Sequence, residues 1–256
     1  MVSRVVPRLS RSRPGAFVNL YHFDMPTYLF NRGGWESREV VEAYAHYADV
    51  AFHEFGQEIK YWFTFNEPIV EPEQRYQEGV WFPQLHDFSR ARTVQYHISL
   101  AHALAVANYR RAYDEGAVRS DAKIGMINCF TPVYTKENPS EADLEAVRMT
   151  SGINNRWWLD LITKGELPAD VLDSLAEGGV SFRSVPATKR FLSRVLSTGS
   201  VATTTTPRAS GAGEQDRPVR SAALCRRVRV ARRRYEREPR LGDLPAGPLR
   251  LGMGLR

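Results

Sequence analysis

The chain has 256 residues, 43% of them hydrophobic and 25% charged, which is long enough for one large domain or two small ones. Two cysteines, Cys129 and Cys225, are too few for a disulfide framework and are typical of a reducing cytoplasm. No run of about 18 apolar residues occurs, so we predict no membrane span, and the basic stretch from Met1 to Pro14 lacks the apolar core of a secretion signal.

The net charge of +6 is distributed unevenly along the chain. Residues 1–16 carry a net charge of +4, residues 17–180 carry −10 and residues 181–256 carry +12. Because the basic charge lies at the two ends, the high pI does not indicate that the whole protein binds nucleic acid. We predict a basic N-terminal segment at 1–16, a folded domain at 17–180 and an Arg-rich segment of low order at 181–256.

The middle region alternates predicted strands and helices. The pattern predicts strands at 17–21, 61–67 and 123–128, and amphipathic helices at 38–55, 89–113 and 142–153. Ser140 and Asp143 are spaced as a capping box, and Pro168 suits the first position of another helix. A strand, a helix and a strand within about fifty residues form a βαβ unit, whose strands are parallel.

One predicted strand ends on a carboxylate. The run from Tyr61 to Phe65 is bulky and apolar, which is typical of a strand buried on both faces of a parallel sheet. It stops at Glu67, and Pro68 cannot extend the hydrogen-bond ladder. Barrel enzymes place catalytic groups at such a strand end. The competing interpretation is that Glu67 is a solvated loop residue or a helix cap.

Two motifs carry a family resemblance. The segments Thr64–Pro68 and Leu20–Pro26, the latter followed by Gly33–Trp35, resemble in order and spacing the signature segments of family 1 glycoside hydrolases, the retaining β-glycosidases. The resemblance runs from about residue 17 to about residue 179. It implies an α/β fold, here an incomplete (β/α)₈ TIM barrel.

The resemblance also implies roles for particular residues. Glu67 is expected to be the catalytic general acid/base, and His22 and Asn66 are expected to bind the sugar of a β-glucoside or 6-phospho-β-glucoside. Trp81 and Tyr76 are aromatic residues on a long loop predicted at 69–88, where they offer a flat face to a sugar or pack the loop onto the domain. We expect no metal and no cofactor, and a cytoplasmic location.

The second carboxylate of a retaining glycosidase is not evident. Such enzymes need two carboxyl groups about 5–5.5 Å apart. The family's nucleophile lies in a Thr-Glu-Asn-Gly type motif, which this sequence lacks. None of the acidic residues after position 180 ends an apolar strand; they are Glu214, Asp216, Glu236, Glu238 and Asp243. We therefore expect an incomplete barrel with little or no activity.

Residues 181–256 differ in composition from the rest of the chain. They contain 16 Arg and one Lys, include the run Thr203–Thr206, and show no pattern of a barrel strand. Low apolar content and high net charge predict disorder. One interpretation is a reading-frame change in a GC-rich gene. The other is a basic tail that binds nucleic acid or an acidic surface through the clusters at 226–229 and 232–234. A non-catalytic sugar-binding remnant is a third alternative.

Overall fold

The computed structural model describes residues 17–180, 192–196 and 201–207. The β-strands among them are β1 (Phe17–Asn19), β2 (Tyr61–Asn66), β3 (Lys123–Phe130) and β4 (Val201–Pro207). The α-helices within residues 17–180 are α1 (Thr27–Phe30), α2 (Arg38–Phe55), α3 (Val70–Pro72), α4 (Phe88–Asp114), α5 (Glu141–Ser151), α6 (Trp157–Lys164) and α7 (Ala169–Glu177). Residues 192–196 are also helical. Gly34–Glu36 forms a 3₁₀ turn, and Glu73–Gln77 and Gly152–Arg156 form π-helical turns.

The described strands form a single parallel sheet in the order β1-β2-β3-β4. Phe17 is paired with Tyr61, Trp62 with Ile124, and Ile124 with Val201. Neighbouring parallel strands need a crossover connection, and α2 and α4 supply it for the first two pairs. The predicted βαβ organisation is confirmed, and the alternation of parallel strands and helices is that of a partial barrel.

Strand β4 lies in the segment for which the sequence predicted no barrel strand, and that expectation is wrong for residues 201–207. Four of its seven residues are threonines, whereas strands buried on both faces of a parallel sheet are usually apolar. Threonine is nevertheless β-branched and favours extended backbone. Residues 1–16 and the Arg clusters at 226–229 and 232–234 lie outside the described residues, so the interpretations of those segments stay predictions.

The helix predicted at 38–55 is confirmed as α2. Its buried side chains follow one face of the helix and are Val40, Val41, Tyr44, Ala45, Ala48, Ala51 and Phe52. This face packs on the long helix α4, where Asn108 Nδ2 donates to the carbonyl of Ala45 at 2.8 Å. At the start of α4, the Asp87 side chain caps the helix by accepting from the backbone N–H of Arg90 at 3.0 Å.

Gly56 follows α2, where glycine commonly adopts a left-handed conformation, but here it is required for a different reason. Its φ of −63° and ψ of −31° are right-handed. A Cβ atom at this position would lie 2.3 Å from the carbonyl oxygen of Phe52 and 2.4 Å from that of Ala117. The close approach of another backbone segment therefore requires a residue without a side chain.

The capping box predicted for the next helix is confirmed. The Ser140 hydroxyl accepts from the backbone N–H of Asp143, and the Asp143 carboxylate accepts from the backbone N–H of Ser140 at 2.8 Å. The last predicted helix begins one residue later than expected, because Pro168 is the N-cap of α7 and Ala169 is its first residue. Such differences of one residue are normal at helix ends.

His102 on α4 is a buried polar residue that joins the helix layer to the sheet. The Thr64 hydroxyl donates to the carbonyl of Gly125 at 3.2 Å, so His102 Nδ1–H donates to the Thr64 oxygen at 2.8 Å. Nδ1 therefore carries a proton in this arrangement. Complete burial lowers the pKa of His102 to about 3.

This burial predicts a pH dependence of stability. The pKa of His102 is lower in the folded than in the unfolded chain, so its contribution is fully present above about pH 6.5 and is lost as pH falls toward 3. Between pH 7 and pH 5 the free energy of unfolding should fall by about 2 kcal/mol on this account. The His102→Asn variant retains an N–H donor for Thr64. Its free energy of unfolding, measured with urea, should depend less steeply on pH than that of the wild type.

The matched control is the exposed His53, whose pKa is raised by its hydrogen bond to Glu115. The His53→Asn variant should keep the steep loss of stability below pH 6.5. An identical pH slope in wild type and His102→Asn would contradict the assignment.

Candidate active site

The backbone hydrogen bonds that follow β1 and β2 bring their ends to one edge of the sheet. The N–H of Asn66 donates to the carbonyl of Tyr21 at 3.0 Å, and the N–H of Glu67 donates to the carbonyl of Ile127 at 2.7 Å. His22 follows Tyr21 directly in the chain. The structure therefore places His22, Asn66 and Glu67 at the same carboxyl edge of the sheet.

A bulge in β2 precedes this edge. Phe63 is paired with Gly125 and Asn66 with Ile127, so β2 uses one residue more than β3 between the two pairs. A bulge shifts the alternation of side chains, and bulges are common beside active sites because they redirect a side chain. Here it sets the direction in which the strand presents Asn66 and Glu67.

Glu67 has an unusual backbone conformation. Its φ of +42° lies in the left-handed region, which costs a residue with a Cβ atom about 1–2 kcal/mol. Its carbonyl accepts from the N–H of Val70 at 2.9 Å and so begins the next helical turn. The side chain is half-buried, and within the described part of the chain its carboxylate has no hydrogen-bond or ion-pair partner. The strand end thus holds a carboxylate that remains available to a ligand.

His22 and Trp81 are connected through Phe23. His22 is exposed, and its backbone N–H donates to Asp24 Oδ1 at 2.9 Å. The Phe23 ring lies edge-on to His22 and to Trp81, with centroids 5.2 Å apart in both pairs. Trp81 is therefore attached to the turn that carries His22 and is partly exposed beside it.

Tyr76 differs from Trp81 in its exposure. Only 2% of Tyr76 is exposed, which favours the interpretation that it packs its segment onto the domain. Trp81 is only partly buried against the core, so part of its surface remains accessible. The structure therefore distinguishes by their exposure two aromatic residues that the sequence did not distinguish.

The segment 69–88 is only in part the loop that the sequence predicted. Helix α3 and the π-helical turn at Glu73–Gln77 occupy its first half. Pro68 and Pro72 concealed this helix, although proline is tolerated in a first turn, where its missing N–H would have no helical partner. The spacing of Glu71 and Arg75, four residues apart, is the signal in the sequence from which this helical turn could have been predicted.

Glu71 and Arg75 form an ion pair beside the strand ends that the sequence analysis missed. Arg75 Nε lies 2.8 Å from Glu71 Oε1, and only 2% of the Glu71 side chain is exposed. Burial raises the pKa of the Glu71 carboxyl, while the Arg75 guanidinium acts in the opposite direction. Two carboxylates one helical turn apart therefore differ, because Glu71 is paired with Arg75 and Glu67 has no partner in the part of the chain that the structure describes.

The described residues hold no group of three or more His, Cys, Asp or Glu side chains arranged for a metal ion. Among the same residues, no helix is both long enough and apolar enough to span a bilayer. His97 and His102, whose spacing is not that of a helical metal pair, hydrogen-bond instead to the carbonyl of Trp35 and to Thr64.

Comparison with known families identifies the relationship. The sequence profile of glycosyl hydrolase family 1 matches residues 3–218. The chain belongs to glycosyl hydrolase family 1. The matched range begins before and ends after the predicted domain 17–180, and the three-region division of the chain stays a prediction. Members of this family act on glycosides.

Two curated relatives illustrate the match. The chain is 39% identical over 177 residues to 6-phospho-beta-glucosidase GmuD of Bacillus subtilis (strain 168), covering 69% of this chain and 37% of that protein. It is 33% identical over 179 residues to Beta-glucosidase A of Thermotoga maritima, covering 68% of this chain and 38% of that protein. The chain thus spans well under half the length of these relatives.

Solved structures agree with this relationship. A beta-glucosidase from Exiguobacterium marinum superposes with a TM-score of 0.69 at 28% identity, over 80% of this chain and 44% of that one. The family 1 b-glucosidase from Thermotoga maritima gives a TM-score of 0.65 at 29% identity, over 80% and 43% of the two chains. The described fold is part of the TIM barrel of glycosyl hydrolase family 1.

The left-handed backbone at Glu67 predicts the relative stability of two variants. Glycine adopts this φ without strain and alanine does not, so the Glu67→Gly variant should be more stable to urea than Glu67→Ala by about 1 kcal/mol. Because both variants lack the carboxylate, the difference between them reports the free-energy cost of the left-handed backbone conformation.

The same pair of substitutions at Glu42 in helix α2 serves as the control. There the order should reverse, because glycine in a helix interior is less stable than alanine by about 1 kcal/mol. Equal stability of the two Glu67 variants would show that the left-handed conformation is not maintained in solution.

Proposed function

We propose that this chain provides the acid/base half of a retaining β-glycosidase centre, with Glu67 as the general acid/base. The supporting observation is the half-buried carboxylate of Glu67, which has no partner among the described residues and lies at the end of buried β2, beside Asn66 and the His22 turn. Barrel enzymes place their chemistry at this edge. Membership of glycosyl hydrolase family 1 supplies the class of substrate, a glycoside.

The proposed mechanism has two steps. In the first, Glu67 donates a proton to the glycosidic oxygen while a second carboxylate attacks the anomeric carbon and forms a glycosyl-enzyme. In the second, Glu67 acts as the base that takes a proton from the attacking water. Asn66 would hydrogen-bond the sugar hydroxyl next to the anomeric carbon, where such bonds strengthen in the transition state.

This centre also needs a second carboxylate as its nucleophile. Glu71, four residues after Glu67, is committed to its ion pair with Arg75. The acidic residues after position 180 lie outside the described residues. We therefore expect little or no unaided turnover by the 256-residue chain.

The proposed substrates are β-glucosides or 6-phospho-β-glucosides. The relatives at 39% and 33% identity are named a 6-phospho-beta-glucosidase and a beta-glucosidase, respectively, so we propose both classes of substrate. His22 and Asn66 would bind the sugar hydroxyls, and the partly exposed Trp81 would offer a flat face to the ring.

An external nucleophile tests the role of Glu67 without the missing carboxylate. Azide would attack the anomeric carbon of phenyl β-glucoside or its 6-phosphate as the C–O bond breaks, and Glu67 would protonate the departing phenol oxygen. We expect azide-dependent release of phenol and of α-glycosyl azide. The Glu67→Gln variant should reduce that rate by about 10²–10⁴-fold, the usual contribution of a general acid.

The matched control changes the leaving group. With 2,4-dinitrophenyl β-glucoside, which departs without protonation, Glu67→Gln should keep the azide-dependent rate. Phenol release that does not respond to Glu67→Gln would contradict the acid/base assignment. Azide-independent turnover that Glu67→Gln abolishes would support that assignment but contradict the expected lack of a nucleophile.

Sugar binding without cleavage is the second candidate function. It is favoured by the proximity of His22 and Asn66 at one edge and by the attachment of Trp81 to the His22 turn. Titration with glucose and with glucose 6-phosphate should change tryptophan fluorescence for at least one of them. The Asn66→Ala variant should lose that change, whereas Asn108→Ala, remote from the edge on α4, should retain it. No response to either sugar would contradict this function.

A further inference from the structure

The Arg75 side chain contacts three segments around the candidate site. Its Nη1 donates to the carbonyl of Phe82 at 2.7 Å, and its Nη2 donates to the carbonyl of Phe23 at 3.3 Å. Its guanidinium lies over the Trp81 ring, 5.6 Å from the centroid. One side chain therefore holds both the loop that carries Trp81 and the turn that carries His22.

Glu71 holds the Arg75 side chain through an ion pair. The carboxylate is buried, lies one helical turn after Glu67, and is 2.8 Å from Arg75 Nε. Tyr21, whose hydroxyl lies beside the same carboxyl, accepts the backbone hydrogen bond of Asn66 through its carbonyl. The ion pair thus contacts the turn that follows β1, and Tyr21 of that turn is hydrogen-bonded to the end of β2.

A buried ion pair is retained at a cost unless its other hydrogen bonds are satisfied. Here two backbone carbonyls accept one hydrogen bond each from Nη1 and Nη2 of Arg75, and the pair lies between the segments of the site rather than in the helix layer. Replacement of one partner would leave the other charge buried without compensation. This arrangement points to a positional role beyond packing.

We infer that Glu71 and Arg75 are the positioning pair of the site. Arg75 fixes the separation between the face of Trp81 and the His22 turn, and Glu71 fixes Arg75 relative to β2 and Glu67. Neither residue contacts the substrate. The consequence for sugar binding rests on the proposed function, whereas the position of the Trp81 loop does not.

The planar fork of arginine makes the inference testable by a conservative change. Lysine keeps the charge opposite Glu71 but cannot donate to the Phe82 and Phe23 carbonyls at the same time or stack flat on Trp81. Arg75→Lys therefore preserves the ion pair and releases the loop. The matched control is Arg111→Lys, which alters an exposed ion pair with Asp49 between α4 and α2.

Quenching of tryptophan fluorescence by acrylamide reports on this loop. All five tryptophans lie within residues 17–180, and 1% or less of each is exposed except Trp81, which is partly exposed. Arg75→Lys should raise the Stern–Volmer constant well below the unfolding temperature, and the rise should disappear when Trp81→Phe is added. Arg111→Lys should give the wild-type constant.

A second variant guards against misfolding. Glu71→Gln keeps an oxygen for Arg75 Nε and should change quenching in the same direction by a smaller amount. An unchanged Stern–Volmer constant in both folded variants would overturn the inference. If the pair only stabilised the fold, the two substitutions would lower the unfolding temperature without altering quenching in the folded state.

Sugar chemistry provides the second measurement. If wild type shows azide-dependent phenol release, Arg75→Lys should lower kcat/KM by up to about 100-fold, mainly through KM, because a displaced binding group costs this much. If wild type shows none, the proposed function fails while the quenching result still decides the positioning role. Wild-type kcat/KM in Arg75→Lys together with increased quenching would overturn the link to sugar binding.

Discussion

Hydrogen bonding on both sides of β2 is the constraint on which the rest of the described structure depends. The ladder pairs β2 with β1 and β3, and it ends with the N–H of Asn66 on Tyr21 and the N–H of Glu67 on Ile127. Because parallel strands end at a common edge, whatever follows each strand is brought together there. The buried aromatic side chains of β2 fix the sheet against α2 and α4, so the position of the edge follows from the core.

The edge combines two carboxylates in different environments. Glu71 is buried and paired with Arg75, whereas Glu67 is half-buried, strained in its backbone and without a partner among the described residues. Strained conformations persist where the surrounding structure determines them, and they cluster at functional sites. A structural carboxylate that holds its surroundings in place, next to one kept available for chemistry, is a consistent physical account of the pair.

The sequence could predict the features that periodicity and strand ends reveal. The apolar spacing of 38–55 predicted α2, and the halt of an apolar run at Glu67 predicted a carboxylate at the sheet edge. It could not predict β4, because a polar threonine run does not look like a buried parallel strand. It also missed the Glu71–Arg75 pair, because Pro68 and Pro72 concealed the helical turn that brings the two side chains together.

A crystal structure with a β-thioglucoside, whose sulfur replaces the cleavable glycosidic oxygen, tests the central claim most directly. The account predicts that the sugar binds at the carboxyl edge of β1 and β2, with the Glu67 carboxylate within hydrogen-bond distance of the sulfur. His22 and Asn66 should contact the ring hydroxyls. A sugar bound elsewhere on the protein, or bound at this edge with Glu67 turned away from the glycosidic atom, would contradict it.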